Sequence, residues 1–125
     1  MRKANERIFD DVVTGTTTVY SSGEFNELLG RHDRISLFLV VDTVSGTSPT
    51  ITVQLQHSSD ERNWVNKNGT PEINALVISP TATTTEAAND ATGNYGCHSV
   101  RAAITLAGTN PSCRVRLYAT LRDST

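Results

Sequence analysis

The stretch Ser45-Gly46-Thr47-Ser48-Pro49-Thr50 (SGTSPT) returns 62 residues later as Ala107-Gly108-Thr109-Asn110-Pro111-Ser112 (AGTNPS). Extended, the two copies align as G-T-[SN]-P-[ST]-x-x-V-x-L, an internal pseudo-repeat. After the first copy, Ile51, Val53 and Leu55 alternate with Thr52, Gln54 and Gln56. After the second, Cys113, Val115, Leu117, Ala119 and Leu121 alternate with Arg114, Arg116, Tyr118, Thr120 and Arg122. A period of two marks a half-buried strand. An apolar run precedes each copy, Ile35 to Val41 and Val100 to Leu106. Gly46 and Gly108 can adopt positive φ, and Pro49 and Pro111 can open a strand where a missing N–H is tolerated. Folding each pair of runs about its Gly-Thr-x-Pro segment gives a β-hairpin. In the second copy this sets Val100, Ala102, Ile104 and Leu106 on the face of Cys113, Val115, Leu117 and Ala119, which a one-residue slip would prevent. The expectation is one hairpin built twice.

Weaker strand signals lie elsewhere. Thr16 to Tyr20 reads as a strand, and Arg7 to Val13 as another or as an arm on a neighbour. Ala75 to Ile78 is a short strand that Ala82 to Glu86 can pair with, and Asn89 to Gly96 is a loop on composition. Phe25 to Leu29 allows one helical turn. Seven to eight strands with frequent turn signals describe an all-β fold, an antiparallel β-sandwich of jelly-roll or immunoglobulin-like type. Residues 1–15 are expected to be an N-terminal arm or edge strand and residues 16–125 a single sandwich domain.

A chain of 125 residues can bury a core without metal or disulfides. Its net charge of -2 gives no global basic field, so nucleic acid is not an expected partner. No run approaches the ~18 apolar residues of a membrane span. The start, MRKANERIFDDVV, lacks the apolar stretch of a secretory signal, so synthesis in a cytoplasm is expected. In the hairpin, Cys97 and Cys113 would lie roughly 30 Å apart along the strands, far beyond the ~7 Å a disulfide allows. Both are expected to be free thiols.

Chemistry-bearing motifs are sparse. His32, His57 and His98 form no H-x-x-x-H or H-x-H pair, and neither cysteine lies in C-x-x-C, so no metal site is expected. There is no G-x-S-x-G, P-loop or G-x-G-x-x-G, so no cofactor is expected. Asp10-Asp11 and Asp60-Glu61 are adjacent pairs, unlike carboxylates set across a cleft, and read as solvated groups. Asp42 falls on the inner face of the expected register, near the turn, where it can bond loop amides. The chain is therefore expected not to be an enzyme. Trp64 is the sole tryptophan. It either stacks on a sugar, with Tyr95 as a second platform, or folds back as a plug closing the sandwich end. Ile35 to Val41 is apolar on both faces, so one face needs a loop or another chain over it. Ile35, Leu37, Leu39 and Val41 are candidate protein-interface residues. Arg101, Arg114, Arg116 and Arg122 fall together opposite the apolar face of the second hairpin, either as a solvated face or as a dock for an acidic surface.

The segment Val44 to Asp60 (VSGTSPTITVQLQHSSD), followed by Trp64 and by the second strand-G-T-x-P unit over Ser99 to Pro111, resembles small β-sandwich virion proteins of tailed phages and prophages. The resemblance covers roughly residues 35–120. It implies a structural protein of the particle, a capsid decoration (cement) protein, with tail or head-fibre parts as the nearest competitors. The implied partners are a major capsid protein or other virion protein and further copies of the chain. The implied location is the virion, after synthesis in the host cytoplasm. A carbohydrate-binding module using Trp64 is the competing expectation.

Overall fold

The computed structural model of the protein describes residues 3–32, 34–66, 71–78, 84–88 and 99–122. The elements are β1 (Lys3–Thr14), β2 (Thr17–Tyr20), a 3-10 turn (Gly23–Phe25), α1 (Asn26–Gly30), β3 (Arg34–Ser58), β4 (Val65–Asn66), β5 (Ile73–Val77), β6 (Thr84–Ala88) and β7 (Ser99–Arg122). The FNELL patch makes the one short helical excursion that its sequence allows. The loop expected at Asn89 to Gly96, with Tyr95, Cys97, His98 and the Arg122 side chain, lies outside the described residues.

The expected hairpins do not form. β3 is one strand of 25 residues and β7 one of 24, and neither turns back at its Gly-Thr-x-Pro segment. The two strands instead pair antiparallel with each other along their whole length, from Arg34↔Arg122 to Ser58↔Ser99. The repeated segments meet in the middle, with Ser45 opposite Ser112 and Thr47 opposite Thr109. Each is a corner at which its strand leaves one layer and enters the other, with the register shifting through it. Their backbones match: φ is +104° at Gly46 and +49° at Ser48, +134° at Gly108 and +48° at Asn110. Outside partners match too. The Pro49 carbonyl accepts from the Ile78 N–H at 3.0 Å, and the Pro111 carbonyl from the Gly15 N–H at 2.8 Å.

The corners fold one hydrogen-bonded sheet of seven described strands into two layers. In the first, the later half of β7 lies between β1 and the earlier half of β3, and β6 flanks β3. In the second, the earlier half of β7 lies between β2 and the later half of β3, and β4 and β5 flank β3. The strand expected to pair with β5 is thus β6 on the other layer, because β3 offers its two halves to different neighbours. Residues 3–14 form an edge strand, kinked between Arg7 and Phe9, where the Ile8 carbonyl accepts from the Ser22 N–H at 2.9 Å. That contact blunts part of the open edge.

The inward faces alternate as their sequence does. Ile35, Leu37, Leu39, Val41, Val115, Leu117, Ala119 and Leu121 from the first layer meet Ile51, Val53, Leu55, Val100, Ala102, Ile104 and Leu106 from the second in one core. Each large aliphatic chain fully removed from water there contributes about 1.5–3 kcal/mol. Cys113 is a free thiol buried in the same core. Burial, reinforced by the Asp42 carboxylate, pushes its pKa above the ordinary thiol value.

Candidate interaction faces

Alternation that buries odd-numbered residues of β3 and β7 in the first layer turns the even-numbered ones outward. Across β1, β7 and β3 the register sets Asp10 beside Arg116 beside Val40, and Val12 beside Arg114 beside Asp42. The next row carries Arg7, Tyr118 and Phe38. Asp10 is the hub of the charges. Arg114 donates to its carboxylate through Nε at 3.2 Å and Nη2 at 3.2 and 3.3 Å. Arg7 lies 3.4 Å and Arg116 3.8 Å from the same carboxylate. Arg116 Nη2 also reaches Asp42 Oδ2 at 3.4 Å, and the Thr43 hydroxyl donates to Asp42 at 3.1 Å. Asp42 is therefore on the outer face, paired with arginine, and not on the inner face bonding loop amides. The rings of Phe38 and Tyr118 lie 6.4 Å apart at 56°, a tilted pair. Phe38 is 45% and Val12 59% exposed.

The second layer carries a different cluster. Tyr20 ends β2 opposite Ala103, so its ring lies beside Arg101, two residues along β7. Arg101 Cζ sits 3.9 Å from the Tyr20 ring centroid and 4.3 Å from that of Trp64. The Arg101 Nε donates to Gln56 Oε1 at 2.8 Å, and Gln56 Nε2 donates to Asn66 Oδ1 at 3.1 Å. Burial lowers the Arg101 pKa, and Tyr20 opposes that shift. Trp64 is delivered by the turn after β3. The Asp60 carboxylate accepts the backbone N–H groups of Arg62 and Asn63, both at 2.9 Å, and the Ser58 hydroxyl accepts that of Glu61 at 2.8 Å. Those donors hold the Asp60 carboxyl well below the usual carboxylate range. Trp64 is thus half-buried on an outer face and is no plug of the core, because β4 pairs back on β3 and lays the indole over Arg101.

Truncating Arg101 to alanine is expected to open the sole tryptophan to water. Cation–π contacts at such sites are worth about 0.5–2 kcal/mol, so the fold should survive. Trp64 emission should shift to the red and iodide quenching should rise. Unchanged emission would contradict the stacked arrangement.

Two further expectations from the sequence do not hold. Ile35, Leu37, Leu39 and Val41 are at most 2% exposed, sealed in the core of their own chain, so no partner can touch them. The side of that strand open to contact carries Phe38 and Val40. Arg101 does not share a face with Arg114 and Arg116, because Gly108 and Pro111 lie between them and carry the chain from one layer to the other. Sequence reasoning missed Arg7, Asp10, Phe38, Tyr20 and Tyr118 as face residues. The apolar outer positions of Ile35 to Val41 were the signal for Phe38; the charge network needed the strand pairing.

Beside the kink in β1 runs an open groove of about 610 Å³, bordered by Glu6, Arg7, Asp10, Tyr20, Phe25 and Tyr118. It touches residues of both clusters. Among the described residues, no three His, Cys, Asp or Glu side chains come close enough to share a metal ion.

No protein-family profile matches the chain, and no curated protein matches it. Solved structures do. The structure of infectious bursal disease virus strain Gx is similar over 99% of this chain and 37% of that one, with a TM-score of 0.57 and 11% identity. Strain Gt gives 0.55 and 10% over the same shares. A mutant VP2 protein of that virus in T=1 particles gives 0.51 and 9%, over 97% of this chain and 29% of that one. The chain spans about a third of the length of the viral chains it matches. At such identities the likeness is one of fold, an antiparallel β-sandwich shared with a viral capsid protein.

Proposed function

We propose that this protein is a non-enzymatic structural component of a virus particle, a tailed-phage capsid decoration protein that bridges neighbouring subunits of the shell. The observation that carries the reading is the presence of an aromatic–arginine cluster on each of the two outer faces: Phe38 and Tyr118 with Arg114 and Arg116 on one, Tyr20 and Trp64 with Arg101 on the other. Aromatic residues and arginine are the types enriched where proteins bind proteins. A molecule with one contact face serves as an adaptor at best; one with two can join two neighbours. The fold, which a viral capsid protein shares, supports the same reading, as does the order of motifs from Val44 to Pro111. The carbohydrate-binding alternative keeps only one face of the Trp64 ring, because Arg101 covers the other.

Such a protein stabilises by mass action, binding the assembled shell and not its dissociated parts. At a free concentration of 100 times Kd, each occupied site adds about 2.7 kcal/mol. The test mixes the purified protein with mature shells that lack it. The expected result is stoichiometric added density on the lattice and a higher shell disruption temperature. Density confined to tail or head-fibre preparations would move the protein to those parts, and none on any particle would overturn the proposal.

A further inference from the structure

We infer that the outer face of the first layer is built to receive a second copy of the same chain, around a two-fold axis running along the strands midway between β3 and β7. The inference goes beyond the reading above and does not rest on the shell: a dimer joined through this face still presents two Tyr20–Trp64–Arg101 clusters, one for each neighbour.

Face-to-face docking about such an axis lays each β3 residue over the β7 residue that is its cross-strand neighbour. Neighbours that attract one another within a copy then attract across the two copies as well. The register supplies such neighbours. Phe38 is opposite Tyr118, so each Phe38 meets Tyr118 of the second copy, twice in the dimer. Asp42 is opposite Arg114, so the two copies exchange Asp42–Arg114 contacts, also twice. Val40 is opposite Arg116, whose guanidinium is held to the side by Asp10 and Asp42, leaving its aliphatic stem to pack. Isologous contacts need this self-complementarity.

Charge points the same way. Arg7, Arg114 and Arg116 carry three positive charges and Asp10 and Asp42 two negative ones, already joined in one network. An acidic partner would have to compete with Asp10 and Asp42 for the arginines. A second copy brings Asp42 to each Arg114 and Arg114 to each Asp42, while the end row, where Arg34 stands opposite Arg122, carries like charges and lies outside the contact. The contact is small. β6 has 5 residues, so four strands ~4.8 Å apart, each presenting ~20 Å, give roughly 400 Å² per copy and about 800 Å² in all, the size of a weak, transient association. Association should therefore be reversible.

The test is light scattering across a concentration series, on the whole chain and on three variants. The wild type should pass from monomer to dimer. Phe38→Glu, at a position already half in water, should fold and weaken the dimer by about tenfold or more. Asp42→Arg sets a second guanidinium against Arg114 of the other copy, and Arg114→Asp sets a second carboxylate against Asp42, so each variant alone should stay monomeric. Mixed one to one, these two variants restore opposite charges at the contact, and the heterodimer should form. A misfolded variant could not give that rescue. Failure of the rescue, or a wild type monomeric at the highest concentration, would overturn the inference. So would Phe38→Glu abolishing shell binding in a protein that never dimerises, which would assign this face to the shell. A dimer that binds no shell would leave the inference standing and remove the decoration role.

Discussion

Gly46→Ala is expected to destabilise the fold by about 3 kcal/mol or more, a larger effect than Gly108→Ala. A β-carbon at Gly46 would lie 2.6 Å from the Asn110 carbonyl oxygen and 2.8 Å from Pro111 Cα. Both are backbone atoms of the other corner and cannot swing away. The φ of +104° adds strain for any side chain. At Gly108 the nearest atoms are Pro49 Cα at 3.0 Å and the Ser48 carbonyl oxygen at 3.1 Å, so a few tenths of an ångström must give and φ is again positive. A loss of 3 kcal/mol lowers Tm by roughly 10 °C in a domain of this size. Thermal unfolding followed by circular dichroism reads it. In a hairpin, each glycine would sit in its own exposed turn and neither would touch the other copy. Parity of both variants with the wild type would therefore contradict the interlocked corners.

Leu39→Ala is expected to cost about 2–5 kcal/mol, whereas Phe38→Ala, one residue along the same strand, should cost about 1 kcal/mol or less. Leu39 is 0% exposed, opposite Leu117, which is equally buried. Its truncation removes apolar surface from the core and leaves a cavity. Phe38 faces out, and its loss removes only the tilted contact with Tyr118. Urea midpoints at unchanged m-value measure both. A tolerated Leu39→Ala with a damaging Phe38→Ala would mean that the strand faces the other way.

The alternation of Ile51, Val53 and Leu55, and of Cys113 through Leu121, was enough to read the strands, their inward faces and the all-β sandwich. The alternating aliphatic residues point inward whether their strand belongs to a hairpin or to a crossing pair, so periodicity could not distinguish the two. The corner chemistry misled for the same reason. A glycine with positive φ followed by a proline serves a tight loop and a bent strand equally well. What separates the two is the partner, and Thr47 opposite Thr109 is a pairing across 62 residues that no local pattern encodes. The error then passed to the arginines. Their spacing along one strand placed Arg101 with Arg114 and Arg116, but the corner at Gly108 sends them to different layers. Asp10 looked like half of a solvated acidic pair. Its role as hub for three arginines arises only when β1 is laid against β7. Trp64 was legible as special, being the sole tryptophan, but its stacking on Arg101 depends on where the Ser58–Asn63 turn sends the chain.

The most direct measurement is a nuclear Overhauser spectrum of the labelled protein, read for backbone-to-backbone contacts of β3. The account predicts cross-peaks linking Leu39 to Leu117, Thr47 to Thr109 and Val53 to Ile104. Backbone contacts joining Leu106 to Cys113 and Ile104 to Val115 would place a hairpin at the second corner and contradict it.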